Sequence, residues 1–332
     1  MHTPSSSTAT HFDSISEAVR TQIERPIFLV GALRSGTTLL TLMLDHHPEI
    51  AFPGEFDLAV DFPVAQPTQL SGYHDWLESN RFFLHHELQI DPALDYPQLV
   101  RSFLAQMWYR DGDGKTQIGA AVHRHYRRLL SLWPEARFVH IRRDPRDVAP
   151  SWVKMGWYGN TWSAAKAWGE VEQEWLDVRE SIPQEQRYEV SFERLIEDAR
   201  GELQRLCYFL GVEYSDTMLE YPENSTYGEV DPSEAGKWKA RSPLETQRTE
   251  AALGGLLKEA GYESSEHSPL RVGALARVAL AVDNLVGRNR FDIQRFGFSL
   301  WLSDKLSRWL GQRAWQKRTQ LRMHEITERY LK

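Results

Sequence analysis

Short apolar runs bounded by glycine or proline alternate with helical stretches along most of the chain. Pro26-Ile27-Phe28-Leu29-Val30 is continuously apolar and ends in Gly31, the pattern of a buried parallel strand. A helical stretch from Thr37 to Leu44 follows and stops at Asp45-His46-His47-Pro48, because proline cannot continue it. A second strand is expected over Arg137–Ile141 and a third over Tyr188–Phe192. Helices are expected over Tyr126–Leu132, over Asp147–Lys154 after Asp144-Pro145, and over Thr161–Glu180, where Trp168 and Trp175 share one face. Glu193–Leu210 reads as one helix ended by Gly211. Residues 51–113 are rich in proline and aromatics without a clear period and read as loops and short helices. Strands alternating with helices predict an α/β fold, a parallel sheet covered on both sides. The expected division is a polar lead-in over 1–24 with one short helix from Ser14 to Glu24, an α/β domain over 25–267, and a helical extension without strands over 268–332.

Composition narrows the class. The 332 residues are 41% hydrophobic and 26% charged, which excludes collagen, a disordered chain and a disulfide scaffold. No apolar run approaches the roughly 20 residues of a membrane span, and Met1–Thr10 lacks a signal-peptide pattern. The single cysteine, Cys207, excludes an internal disulfide and a Cys-rich metal site, so a reducing, cytoplasmic compartment is expected. A net charge of −7 argues against a nucleic-acid partner. The charge is unevenly spread: Ser268–Lys332 holds 13 basic and 5 acidic residues, +8, on a body that carries −15.

The strongest chemical signal is Phe28-Leu29-Val30-Gly31-Ala32-Leu33-Arg34-Ser35-Gly36-Thr37-Thr38, a strand, a glycine-bounded loop and a helix start. Gly31 and Gly36 have the G-x-x-x-x-G spacing of a phosphate loop, in which backbone N–H groups and a helix N-terminus face an anion. A nucleotide kinase needs a lysine after the second glycine. Thr37 stands there instead, and the cation is Arg34, inside the loop.

A second signal, Val139-His140-Ile141-Arg142-Arg143-Asp144-Pro145-Arg146-Asp147-Val148-Ala149-Pro150-Ser151, is a strand end, a turn and a helix start. Arg143 and Ser151 can converge there on one phosphate. Together the two motifs resemble those of the sulfotransferases that use 3′-phosphoadenosine 5′-phosphosulfate, over roughly residues 25–244, and stand closer to the bacterial and tyrosylprotein-type branch than to the small cytosolic enzymes. The resemblance implies a P-loop-like parallel sheet flanked by helices. It implies that Arg34, Ser35, Gly36, Thr37 and Thr38 bind the 5′-phosphosulfate and that Arg143 and Ser151 bind the 3′-phosphate. Gly236-Lys237-Trp238-Lys239 is similar to the family's late loop, so Lys237, Trp238 and Lys239 are expected over the 3′-phosphate and adenine. Val190-Ser191-Phe192-Glu193-Arg194-Leu195 is similar to the family's V-x-Y-E-x-L segment, with Phe192 in place of a tyrosine.

Sulfuryl transfer is an in-line displacement. It needs a base for the acceptor's proton and cations for the leaving phosphate. Two residues qualify as base. Glu55 follows Gly54 in a context similar to the tyrosylprotein branch, and His123 falls where the cytosolic branch has its histidine. Ala121 falls about where the family's catalytic lysine is expected; Arg34, with Lys115 reaching in, would take over its work. His85-His86 and His123-x-His125 lack a well-placed third ligand, so no metal is expected. Trp152, Trp157, Tyr158 and Trp162 follow the second motif, where the family often lines its acceptor cleft.

Beyond Leu270 the chain leaves the family core. Phe296, Phe298, Leu300, Trp301, Leu306, Trp309, Leu310 and Trp315 mix with Arg and Lys. Three readings stand: helices packed on the body, a dimer or lid element, and an amphipathic pair on an anionic membrane. The expected function is transfer of a sulfuryl group to a hydroxyl, with an amine as second choice, of a small-molecule, lipid or saccharide acceptor. The alternatives are a catalytically impaired nucleotide-binding adaptor of the same fold and a P-loop kinase.

Overall fold

The computed structural model describes residues 15–62, 69–112, 114–224 and 228–331; the polar lead-in up to residue 14 lies outside them. Five parallel strands form one sheet: β1 (Ile27–Val30), β2 (Ile50–Ala51), β3 (Gln117–Val122), β4 (Arg137–Arg142) and β5 (Arg187–Ser191), in the spatial order β2-β3-β1-β4-β5. The parallel α/β class expected from the pattern is what the chain adopts.

The centre of the sheet follows from side-chain alternation. Phe28 and Val30 point into a core with Trp133, Phe138 and Trp175. Ile27 and Leu29 point to the other face, against Leu40, Met43, Val139 and Ile141. Because both faces of β1 are buried, its sequence is apolar throughout. A third cluster of Val148, Trp152, Trp168, Leu253 and Leu257 fixes the helices Pro145–Lys154 and Thr161–Arg179 beside the sheet.

Several elements differ from the pattern reading, among them the short strand β2 and the helix Pro243–Leu253, which it does not predict. β3 carries mostly small residues, Gly119-Ala120-Ala121, and so lacks an apolar signature; a Cβ at Gly119 would lie 2.2 Å from the Phe52 ring, which needs that space. Tyr96–Asp111 is a 16-residue helix inside the stretch that reads as loops, set by a capping box between Asp95 and Gln98 with Pro97 in the first turn. The helix expected over Glu193–Leu210 is two, Phe192–Glu197 and Ala199–Leu210, divided at Asp198, whose side chain accepts from Gly201 N and starts the second.

β1 has β3 on one side and β4 on the other, so the loops leaving all three open at one carboxyl edge of the sheet. Such a reversal of strand order is where open α/β sheets form a crevice. The extension consists of helices Ala274–Phe296, Phe298–Trp309 and Arg313–Leu331. No helix among the described residues is long and apolar enough to cross a membrane.

Candidate active site

The loop after β1 is shaped by two glycines. Gly31 brings the backbone so close to β4 that a Cβ would sit 2.3 Å from Ile141 O. Gly36 has φ +96° and caps the helix Thr37–Asp45; a Cβ there would strike the Phe192 ring at 2.4 Å. The loop therefore turns its backbone toward the crevice. Inside it, Ser35 Oγ is buried and has no hydrogen-bond partner. Thr37 is buried at the helix start, while Arg34 and Thr38 are exposed and line the cleft.

The two phosphate motifs meet directly. Arg34 Nε donates to Ser151 Oγ at 3.2 Å, and Arg143 Nη1 donates to Arg34 O at 3.3 Å. Arg143 also donates to Glu234 O at 2.7 Å, and its guanidinium lies 4.1 Å from the Phe192 ring centroid. Its Nε is buried without a partner. Burial, with the neighbouring Arg34, draws the Arg143 pKa below its usual value, against Asp147, Glu193 and Glu234. A dianion would satisfy such a group. Phe192 supports the site as a ring wedged between Gly36 and Arg143, a role that needs no hydroxyl.

The remaining charges of the second motif hold the scaffold. Asp144 caps the helix Pro145–Lys154 and pairs with Arg146, which also reaches Glu250 at 2.9 Å. Asp147 accepts from Gly236 N at 2.8 Å and Trp238 N at 2.7 Å, pinning the late loop. Trp238 covers Arg146, with the guanidinium 3.8 Å from the ring centroid. The Lys237 ammonium pairs with Glu234, and Lys239 lies beside Trp238. Asp147 was missed from sequence because its partners are backbone groups about 90 residues away.

Both candidate bases come together at the end of β3. Glu55 runs alongside Ala121 in a bridge in which Phe56 N donates to Ala121 O and Ala121 N to Gly54 O. His123 follows β3 directly. Its backbone N–H donates to Asp57 Oδ1 at 2.8 Å and its Nδ1 to Asp57 Oδ2 at 2.7 Å. An ionised carboxylate only accepts, so Nδ1 carries the hydrogen and Nε2 is the basic nitrogen. Nε2 lies 3.3 Å from Thr37 Oγ1, on the first phosphate loop's helix.

Electrostatics couple the cluster. Burial disfavours the imidazolium, but the charge and hydrogen bond of Asp57, with Glu55, outweigh it and raise the His123 pKa above its usual value. Burial would raise Asp57, yet His123 and Arg124 hold it below the ordinary carboxylate range. Burial, with Asp57, raises Glu55 against His123, Arg81 and Arg124. Glu55, Asp57 and His123 offer ligand atoms within 4.8 Å of one another, although Asp57 Oδ2 and His123 Nδ1 are engaged with each other. His86 is occupied by Arg110 at 2.6 Å, and burial with that charge pushes its pKa down to about 4.

Lys115 does not reach the site. It precedes β3, at the opposite end of the strand from His123, and its ammonium is held by Asp45 O at 2.5 Å and Ile50 O at 2.8 Å. Ala121 is buried in the core beneath the sheet. The cations lining the cleft with Glu55 and Asp57 are Arg34, Arg81, Arg124, Arg143 and Arg295. Arg81, which sequence reasoning passed over, begins a short helix capped by Asn80.

Two cavities meet here. One, about 720 Å³, runs from the Arg34–Arg143 side to Glu55 and Asp57. The other, about 520 Å³, reaches His123 between Trp152, Trp157 and Tyr158, with Glu170, Glu174 and Arg288 at its rim. Trp157 lines both. Trp152 is fixed by its indole N–H to Leu33 O at 2.7 Å and by stacking on Tyr158.

The sequence model of the sulfotransferase family matches residues 26–216. Among curated proteins, the chain is similar to a putative protein-tyrosine sulfotransferase of Caenorhabditis briggsae, 27% identical over 210 residues, 60% of this chain and 70% of that protein. It is also similar to the omega-hydroxy-beta-dihydromenaquinone-9 sulfotransferase Stf3 of Mycobacterium bovis, 26% identical over 248 residues, 56% of this chain and 63% of that protein. Among solved structures, the sulfotransferase domain from the Synechococcus PCC 7002 olefin synthase shares the fold, with a TM-score of 0.50 at 19% identity over 70% of this chain and 95% of that one.

Proposed function

The chain belongs to the sulfotransferase family and is a sulfotransferase; on that premise we propose that it moves the sulfuryl group of 3′-phosphoadenosine 5′-phosphosulfate to a hydroxyl of a small-molecule, lipid or saccharide acceptor, by in-line displacement without a metal. The observation that carries the donor is the direct joining of the two phosphate motifs, Arg34 to Ser151 and Arg143 to Arg34. The glycine-shaped loop, the unpartnered Ser35 Oγ and the unpartnered Arg143 Nε fit a phosphate-bearing nucleotide. Ser35, Gly36, Thr37 and Thr38 would hold the 5′-phosphosulfate with Arg34. Arg143 and Ser151 would hold the 3′-phosphate, with Lys237, Trp238 and Lys239 on the pinned loop beside it.

His123 Nε2 takes the acceptor's proton as the acceptor oxygen bonds to sulfur and the bond from sulfur to the phosphate oxygen breaks. Asp57 holds the ring in the tautomer that leaves Nε2 without a proton, beside Thr37 Oγ1. Glu55, beside it, stabilises the imidazolium that forms. Arg34 meets the charge that develops on the departing phosphate, the work that Ala121 cannot do. The acceptor's apolar part lies between Trp152, Trp157 and Tyr158, in the cavity that ends at His123. Two relatives named for a tyrosine and for an omega-hydroxy compound favour a hydroxyl over an amine. The buried, single Cys207 supports a reducing, cytoplasmic setting.

Calorimetric titration with 3′-phosphoadenosine 5′-phosphate, with ATP and magnesium as control, tests the donor. Micromolar binding of the bisphosphate that is lost in Arg143→Ala, with no binding of ATP, is expected. Preference for ATP, or binding indifferent to Arg143→Ala, would overturn it.

A further inference from the structure

The helix Ala274–Phe296 meets the body through Leu280, the Phe291 ring and several polar or small residues, and leaves an aliphatic stripe outside. Three of these contacts are polar or small: Gly159 N donates to Asn284 Oδ1 at 2.7 Å, Asn160 Nδ2 to Asp283 Oδ2 at 2.9 Å, and Gly287 packs on Gly159. Leu280 is the buried residue of this 23-residue helix. Five of its aliphatic residues point away from the protein: Leu275 is 89% exposed, and Val278, Val282, Leu285 and Val286 are each more than half exposed. They recur three or four apart and so form one continuous stripe. The next helix, Phe298–Trp309, does the same with Phe298, Leu302, Leu306 and Trp309, the last 81% exposed. An apolar surface this continuous marks a contact, not a solvated face.

The charge around the stripe selects the partner. Arg277, Arg290, Lys305 and Arg318 are exposed around these helices, within the +8 segment. A second copy packed stripe to stripe would set one +8 segment against another. An anionic lipid surface complements the same charge, and an interfacial helix asks for an aliphatic face, bulky aromatics and flanking arginines. We propose that the outward sides of these two helices dock the protein on an anionic bilayer, lying in the headgroup region without crossing it. The same helix contributes Arg288 and Arg295 to the walls of the two cavities, so docking would hold the cleft close to the bilayer.

Flotation of the full chain with vesicles tests this without recourse to turnover. Binding is expected to vesicles of phosphatidylcholine mixed with phosphatidylglycerol, to weaken in high salt, and to be weak on phosphatidylcholine alone. The double variant Leu275→Glu/Val282→Glu should bind at least about tenfold more weakly, since two aliphatic side chains no longer leave water. Both positions are exposed, so its thermal midpoint and its affinity for the bisphosphate nucleotide should match the parent; a second variant, Trp309→Ala, tests the neighbouring helix if the first is poorly made. Equal flotation of parent and variants would overturn the proposal. So would failure of the parent to bind anionic vesicles, whether it is then monomeric by light scattering or a dimer that Leu275→Glu/Val282→Glu dissociates.

Discussion

Asp57 grips His123 at two points, accepting its backbone N–H at 2.8 Å and its ring Nδ1 at 2.7 Å. The grip fixes both the position of the ring and its tautomer, and it raises the His123 pKa above the ordinary value of 6.5. A histidine base works only when neutral. Turnover should therefore rise with pH through an apparent pKa above 6.5 and fall as acid protonates Nε2. Asp57→Asn removes the charge that favours the imidazolium, so the acid limb should move to lower pH while the plateau falls by about 100-fold or more through loss of the tautomer and orientation. A pH–rate profile of kcat for parent and variant measures both. A lower plateau with an unmoved limb would mean that His123 is not the titrating base.

Glu55 and His123 are close enough that one experiment separates them. If His123 is the base, Glu55→Gln leaves it in place but removes a charge that raises its pKa. The acid limb then shifts downward and kcat drops about tenfold, since one neighbouring charge no longer stabilises the imidazolium. His123→Ala should cost about 10²- to 10⁴-fold, the usual worth of a positioned base, with nucleotide affinity unchanged. If Glu55→Gln is the crippling change and His123→Ala the mild one, the assignment of roles reverses.

Strands β1 and β4 and the loops that follow them were legible in the chain because they rest on local pattern: an apolar run, a turn residue, then a helix start. β3 was not, because its residues are small to leave room for Phe52. The site's cations were readable only in part. Arg34 and Arg143 lie in motifs, but Arg81 comes from a helix of five residues in a stretch with no period. Asp57 was also hidden, two residues from Glu55, because its role depends on a partner 66 positions on. The outward aliphatic stripe of Ala274–Phe296 could not be told from a core-facing one, since periodicity gives a face and not its direction.

Phe192 should matter as a ring. It is nearly buried, fills the space that a Cβ on Gly36 would need, and lies under the Arg143 guanidinium. Phe192→Ala should destabilise the fold by about 3 kcal/mol or more, the usual cost of emptying a buried aromatic site. It should also weaken binding of 3′-phosphoadenosine 5′-phosphate, because Arg143 loses its support. Phe192→Leu should recover most of the stability and little of the affinity. Paired denaturation and calorimetry read the two effects; equal recovery of both would make the ring a packing residue only.

The late loop gives the last test. Asp147 spends its carboxylate on two backbone donors, Gly236 N and Trp238 N, and burial raises its pKa. Removing it leaves those two N–H groups without their acceptor and frees the loop that carries Lys237, Trp238 and Lys239. Asp147→Ala should therefore speed hydrogen exchange at residues 236–241 and weaken nucleotide binding by about tenfold, the worth of roughly one charge-assisted hydrogen bond. The exchange of β1 should stay as in the parent, because both backbone donors that Asp147 accepts from lie in the loop. Asp147→Asn keeps one carbonyl acceptor and should fall between the two. If Asp147→Ala speeds exchange in the loop but leaves nucleotide affinity untouched, the loop is part of the scaffold and does not close over the donor.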